Sequence, residues 1–380
     1  MLIGIITHNV LPGDGQGRAN YEIVKYALKQ GARVRVVADA IAEDLLPNIE
    51  AYRVPLPSWT HKINLPKVAI FAHRADRIIQ SWTEKPDILH NYGYCTSLPH
   101  DINTSQYVHA AWAQSTFHTS RTNRNLYGAY QWLYTQSNAH WERHAYHQAR
   151  VVVAASGTVR EELKTLVGVP EDRLRVINNG ADLNEFYPLP EGETPDRTGL
   201  ELPENVVLGV FAGDIRTPRK NLDSVLKAMA QVEGFHLAVV GRLEGSPYPA
   251  LTEQLGLTKR VHFLDFRRDI AAIFRASDFF VFPSRYEACA LVLSEAAASG
   301  IPILSSRTTG GAEVIAPGAG LLIDDPNDIK ALTGALKALV QQPEQRARMQ
   351  SIARAHASEQ SWEKIGKQYY GLYEELAQKQ

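Results

Sequence analysis

The feature that most constrains this chain is a rhythm that it runs through twice, in which a short apolar run is followed by a longer stretch at helical spacing and then by another apolar run. Leu2 to Thr7 gives way to Ala19 to Gln30 and then to Val34 to Val37, and later Val151 to Ala154 leads into Val159 to Leu166. Short strands alternating with helices build parallel sheets covered by helices. The rhythm lapses in YPLPEGETPDRTGLELPEN, which is rich in proline, glycine and acid. It resumes with an apolar run over 206–211, a helix over 221–232, strands over 236–240 and 261–264, a helix over 269–275, a strand over 279–282, a helix over 292–299 and a strand over 302–305. A chain of 380 residues has the length of two ordinary domains, so the expected fold class is α/β with two doubly wound domains, 1–187 and 188–360.

Bulk properties exclude several classes of function. A formal net charge of -1 gives no field that would draw nucleic acid. Two cysteines, Cys95 and Cys289, are too few for a disulfide framework and lack metal-ligand spacing, which fits a reducing cytoplasm. The opening MLIGIITHNVLPGDGQG reads as a strand running into a glycine turn rather than a leader, and no apolar run is long enough for a membrane span. The expected protein is cytoplasmic, at most lying on the inner face of a membrane.

Ligands of doubly wound sheets sit beyond the carboxyl ends of the strands, so the loops there hold the candidate site residues. PGDGQGR follows the first strand, and Gly13, Gly15 and Gly17 would let amides approach a phosphate, although any tight strand-to-helix turn also favours glycine. FAGDIRTPRKNL sets Arg216, Arg219 and Lys220 ahead of a helix, where cations are disfavoured by the helix dipole unless an anion binds. PSRYEACALVLSEAAASGIPIL places Glu287 in a loop and Glu295 in a helix, two carboxylates able to hold pairs of hydroxyls; on spacing alone they read equally as two surface glutamates.

Taken in order, GDGQGR, INNGADLNEFYP, FAGDIRTPRKNL, LAVVGRLEG, VHFLDFRRDI, the paired glutamates of YEACALVLSEAAASGIP, GGAEVI and GLLIDDPND resemble glycosyltransferase family 4, the retaining group 1 enzymes of GT-B fold. The resemblance covers nearly the whole chain. It implies two Rossmann-like domains facing across a cleft, an acceptor-binding first domain completed by a helix over 361–380, and a second domain that binds a nucleotide sugar. It further implies transfer of a hexose from a UDP or GDP sugar to a saccharide or lipid-linked acceptor, with no cofactor and no metal. Lys220 and a nearby arginine would neutralise the leaving diphosphate; the family's usual arginine is replaced by Asp214, with Arg216 as the first substitute and Arg219 as the second. Glu287 would hold the transferred sugar, Glu295 the ribose, and the amides of Cys289, Ala290 and Leu291 the phosphates, as would the turn at Gly15 and Gly17.

The first domain should bring a histidine to the anomeric carbon, either His109, after the strand-like SQYVH, or His118 in STFHTS. Trp112 and Arg121 lie in an aromatic, basic segment suited to stacking an acceptor. The segment around Lys62, Lys67, Arg74 and Arg77 has helix-like apolar spacing, consistent with a surface helix or with docking on anionic lipid. Rival readings are a catalytically silent nucleotide-sugar binding module and a sugar-nucleotide epimerase, which share the same anion site.

Overall fold

A computed structural model describes every residue except Asp14, Glu191 and Gln380, and leaves the side chains of His61 and Lys62 undescribed. The Asp14 of the glycine turn, the cation expected at Lys62 and the last residue of the expected closing helix therefore lie outside the described residues. The chain forms two compact units, Met1–Asn179 with the residues from Trp362 onward, and Gly180–Ser361.

The first unit is a sheet of seven parallel strands. In chain order these are β1 (Leu2–Ile6), β2 (Arg33–Ala38), β3 (Glu50–Arg53), β4 (Ile88–Tyr92), β5 (His100–Ser105), β6 (Ala149–Ala154) and β7 (Leu174–Val176), and they lie in the order β3-β2-β1-β4-β5-β6-β7. The order reverses between β1 and β4, so the loops that follow these two strands part and leave a crevice. Helix α1 (Gly15–Lys29) follows β1 and buries Tyr21, Ile23, Val24 and Ala27. Gly15 and Gly17 are thus inside the first turn of the helix rather than in a loop before it, a correction to the sequence reading. Helix α2 (Asn64–Gln80) buries Val68, Phe71, Ala72 and Ala75 against the sheet, and its Lys67 pairs with Asp39 at 2.7 Å. Its apolar face is therefore spent on the core, in keeping with the surface-helix reading of this segment.

Helix α3 (His109–Gln114) and the long α4 (Leu126–Gln148) connect β5 to β6. Strand β5 stops at Ser105, so His109 opens a helix instead of ending a strand. Completing the unit is the final helix, Trp362–Ala377, which packs on α1 through Gly366, where a Cβ would meet Tyr26 Cγ at 2.5 Å. Tyr373 of the same helix reaches the sheet, its hydroxyl 2.8 Å from Nδ1 of the buried His90.

The second unit is a six-stranded parallel sheet, β8 (Val207–Ala212), β9 (Phe235–Val240), β10 (Val261–Phe263), β11 (Phe279–Phe282), β12 (Ile303–Ser306) and β13 (Gly320–Ile323), in the order β10-β9-β8-β11-β12-β13. Its central strands are continuous apolar runs, as strands covered on both faces must be; all four residues of FFVF in β11 are buried. Helices α5 (Leu222–Met229) and α6 (Leu291–Ala298) follow β8 and β11, the strands on either side of the order reversal. Residues 180–187 belong here rather than to the first unit as expected, because Phe186 packs into the second core 6.2 Å from Phe274 and the Ala181 amide donates to the Gln360 carbonyl. Among the described residues no helix is long and apolar enough to cross a membrane.

Candidate active site

In the second unit the loops after β8 and β11 meet over a pocket of about 650 Å³. After β8 the chain makes a 3-10 turn over Pro218–Lys220 and then a left-handed residue, Asn221 at φ 68°. Asparagine tolerates that conformation, and here its buried amide also donates to the carbonyls of Pro283 at 2.8 Å and Pro326 at 2.6 Å. Arg285 adds a bidentate pair with Asp223, both contacts 2.7 Å, and its own amide donates to the Arg219 carbonyl at 3.0 Å. The two loops are thereby bolted together, and Lys220 is set beside Glu287.

Glu287 accepts from Lys220 Nζ in a very short contact and from Arg219 at 3.3 Å, while Arg219 also donates to the Tyr286 carbonyl at 3.2 Å. Burial, and the nearby Arg219, pull the Lys220 ammonium below the ordinary lysine range against the opposing pull of Glu287. The loop carrying Glu287 is itself clamped from β12's side: Gly310 donates to the Glu287 carbonyl at 2.9 Å and accepts from the Ala290 amide at 2.9 Å. Only glycine permits this approach, since a Cβ at 310 would lie 2.0 Å from the Ala288 oxygen. Helix α6 begins at Leu291 with no side-chain hydrogen bond at its cap, Ala290, and its first residues line the pocket; the Ala290 amide, one of those expected to hold phosphate, is already taken by the Gly310 carbonyl.

Of the residues singled out in this half, Arg216, Lys220, Glu287, Cys289, Ala290, Leu291 and Glu295 all line that one pocket, with Arg219 among them. Arg216 is tied to Asp214 by contacts of 2.9 and 3.1 Å, an interaction that also holds the Asp214 carboxyl below its usual range. Arg219, rather than Arg216, is the arginine brought to Glu287. Arg242 and Arg267, which carried no role in the sequence reading, also line the pocket. Arg242 stands two residues past the end of β9, and a cation just beyond a strand end is the signal that marks it.

The first unit has its own pocket of about 280 Å³ at its order reversal, lined by His8, Gln16, Tyr92, Tyr94, Gln106, His109, Asn138, Glu142 and neighbours. His109 faces it. Its ring Nδ1 is 2.7 Å from Glu142 Oε1 and its backbone amide donates to Glu142 Oε2 at 3.1 Å. His8 Nδ1 and the Tyr92 hydroxyl are buried without a hydrogen-bond partner among the described residues. Burial pushes the His8 ring down to about 4, so it is neutral at pH 7.

Trp112, His118 and Arg121 do not line this pocket. His118 caps the short helix Thr119–Thr122, its Nδ1 accepting from the Ser120 amide, and its Nε2 lies 2.9 Å from Thr135 Oγ1. Trp112 packs 5.4 Å from the His118 ring and Arg121 is exposed. Gly15 and Gly17 are likewise absent from the lining, whereas Gln16 between them contributes. The sequence reading missed His8, Tyr92 and Glu142, whose partnership with the site depends on strand order rather than on any local motif.

Two doubly wound sheets, each with a polar crevice at its order reversal, define a class. The chain superposes on sucrose-phosphate synthase from Thermosynechococcus elongatus with a TM-score of 0.80 at 20% identity over 100% of both chains. It superposes on Anabaena HepE, solved in complex with UDP and glucose, with a TM-score of 0.69 at 20% identity over 98% of each. The fold is GT-B, with two Rossmann-like domains.

Residues 13–185 match the family model described as Glycosyltransferase Family 4, and residues 194–356 match Glycosyl transferases group 1. The D-inositol 3-phosphate glycosyltransferase of Corynebacterium glutamicum is 30% identical over 231 residues, 56% of this chain and 55% of that protein. The chain spans about half the length of the curated relatives it matches. It belongs to the group 1, family 4-type glycosyltransferases.

Proposed function

We propose that the protein is a retaining hexosyltransferase that moves a sugar from a UDP or GDP sugar to a hydroxyl of a saccharide or lipid-linked acceptor, without a metal ion. The observation that carries this reading is the pairing of Lys220 and Arg219 on Glu287 in the pocket that the start of α6 also lines. Burial disfavours the Lys220 charge, and an anionic diphosphate beside it would favour that charge again, as Glu287 does now. When the bond from the anomeric carbon to the diphosphate breaks, its electron pair leaves with the phosphate, and preorganised cations and amides stabilise that charge. The acceptor oxygen bonds the anomeric carbon and its proton passes to the departing phosphate oxygen on the same face, so configuration is retained. Glu287 then exchanges its cations for sugar hydroxyls, and Glu295 takes the ribose.

In the first unit, Nε2 of His109 and the unpartnered His8 and Tyr92 atoms suit hydroxyl groups. Among the described residues no lysine or arginine lines that pocket, which favours an uncharged acceptor ring over one like the inositol phosphate named for the Corynebacterium glutamicum relative. HepE, which was solved with UDP, makes uridine the first donor to try.

The test is a screen of UDP, GDP and ADP sugars for thermal stabilisation and slow donor hydrolysis with chelator present, run beside Lys220→Ala. One donor should stabilise the protein and be hydrolysed by the wild type alone. A donor that binds yet is never hydrolysed or transferred would support a silent binding module, and inversion at the anomeric carbon would support another mechanism. An interconverted free nucleotide sugar would identify an epimerase.

A further inference from the structure

The first half of α4 is patterned inside out. Its buried positions in that half are Gly128 and Thr135, whereas Leu126 is 91% exposed, Trp132 52% and Leu133 49%, with the exposed Ala129 completing the outer stripe. A surface helix of a soluble domain places these residue types the other way round. Tyr127, 56% exposed, stands beside the stripe. The neighbouring segment, joined to α4 where the Leu65 amide donates to the Tyr130 hydroxyl at 3.1 Å, exposes Trp59 and Ile63 as well. Six of the ten large exposed apolar side chains among the described residues are thus gathered on these two segments.

The charges nearby have one sign. Arg121 and Arg124 are exposed just ahead of α4, and the chain holds no acidic residue between Asp101 and Glu142. A second copy packed about a two-fold axis would set these arginines near one another with no carboxylate to receive them. Exposed tryptophan, tyrosine and leucine beside arginine match the polar-to-apolar boundary of a bilayer, where aromatic rings lie at headgroup level and cations meet lipid phosphate. We infer that this tip, residues 119–133, docks the first unit onto an anionic membrane surface. Tyr134, one residue on, lines the pocket of the same unit, so docking would hold that pocket close to the lipid surface.

The experiment is co-sedimentation of the full chain with vesicles of phosphatidylcholine, alone or mixed with phosphatidylglycerol, at low and physiological salt. The wild type should bind the anionic vesicles, and more weakly as salt rises. The combined variant Leu126→Ser, Trp132→Ser, Leu133→Ser should bind roughly tenfold less or worse while melting at the wild-type temperature. If that variant does not melt cooperatively, Arg124→Glu decides, and should show the same loss toward anionic vesicles. A wild type that stays in the supernatant with both vesicles, or variants that bind as well as it does, would overturn the inference. So would a wild-type dimer in sedimentation velocity that the apolar variant abolishes, which would reassign the face to a second copy.

Discussion

Glu142 holds His109 at two points, the ring nitrogen at 2.7 Å and the backbone amide at 3.1 Å, across thirty-three residues of chain. A carboxylate accepts only, so Nδ1 carries the proton and Nε2 is left as the acceptor of the ring. Tyr107 and Tyr134 stand edge-on to the same ring, 5.1 and 5.8 Å away, and restrict its rotation.

Replacing Glu142 should therefore act on the reaction through the position and tautomer of His109. Glu142→Ala is expected to lower kcat about a hundredfold, the order of loss that a misplaced reacting group brings. Glu142→Gln should lower it less, because one amide oxygen can still accept. Nitrogen NMR of the imidazole would show His109 fixed as the Nδ1–H tautomer in the wild type and mixed in Glu142→Ala. Loss of activity with an unchanged tautomer would assign Glu142 a merely structural role.

The cations of the second unit should differ in weight. Lys220→Ala and Arg219→Ala are each expected to reduce kcat by about a hundredfold or more, since under the proposed function each removes a donor from the leaving diphosphate. Arg216→Ala should change it only a few-fold, because Asp214 already neutralises that guanidinium. Steady-state rates at saturating donor decide, and an Arg216 effect equal to that of Lys220 would restore Arg216 as the family arginine's substitute.

Gly310→Ala tests the clamp on the Glu287 loop. The added carbon would fall 2.4 Å from the Glu287 oxygen and 2.0 Å from that of Ala288, both backbone atoms that cannot swing aside. Overpacking of this kind destabilises by about 1–3 kcal/mol. The variant should melt earlier in urea and bind donor more weakly, whereas Gly334→Ala, whose added carbon meets nothing within 4 Å, should do neither.

Acid should weaken the first unit. Burial drives His8 and His100 down to about 4 and His90 to about 3. In the unfolded chain these rings bind protons near 6.5. Between those values the unfolded state carries more protons, so stability is fully present above pH 6.5 and falls as the pH drops toward 4. Glu162, whose carboxyl burial raises to about 7, works in the opposite sense but stands alone against these histidines. Urea midpoints should fall steadily from pH 7 to pH 5, and His100→Gln should flatten the slope.

How far the sequence could be read follows from which interactions are local. The strands β1, β2, β6 and β8 to β12 were legible as short apolar runs, FFVF among them, whereas β3, β4, β7 and β13 went unread and β5 lies ahead of the SQYVH segment where a strand was expected. The Glu287 loop and the helix bearing Glu295 were legible for a similar reason, the change from loop to helical spacing within one segment. The Glu142–His109 pair was not, since neither residue carries a mark of the other and only the α3–α4 packing joins them. The inverted face of α4 was hidden too: aromatic residues in sequence read equally as core or as surface, and burial alone separates the two. The pairing of Arg216 with Asp214 was not legible either, because spacing cannot show which partner a side chain takes.

The final helix has a consequence for the order in which the protein is made. His90 on the central strand β4 meets Tyr373, and Gly366 seats the helix on α1, so the first unit lacks its cover until residues synthesised after the whole second unit have left the ribosome. In most two-domain chains the amino-terminal domain finishes folding first. Here the carboxyl-terminal Rossmann unit can close while its predecessor still waits for its last helix, and truncation anywhere after Ser361 would leave a complete second unit beside an unfinished first one.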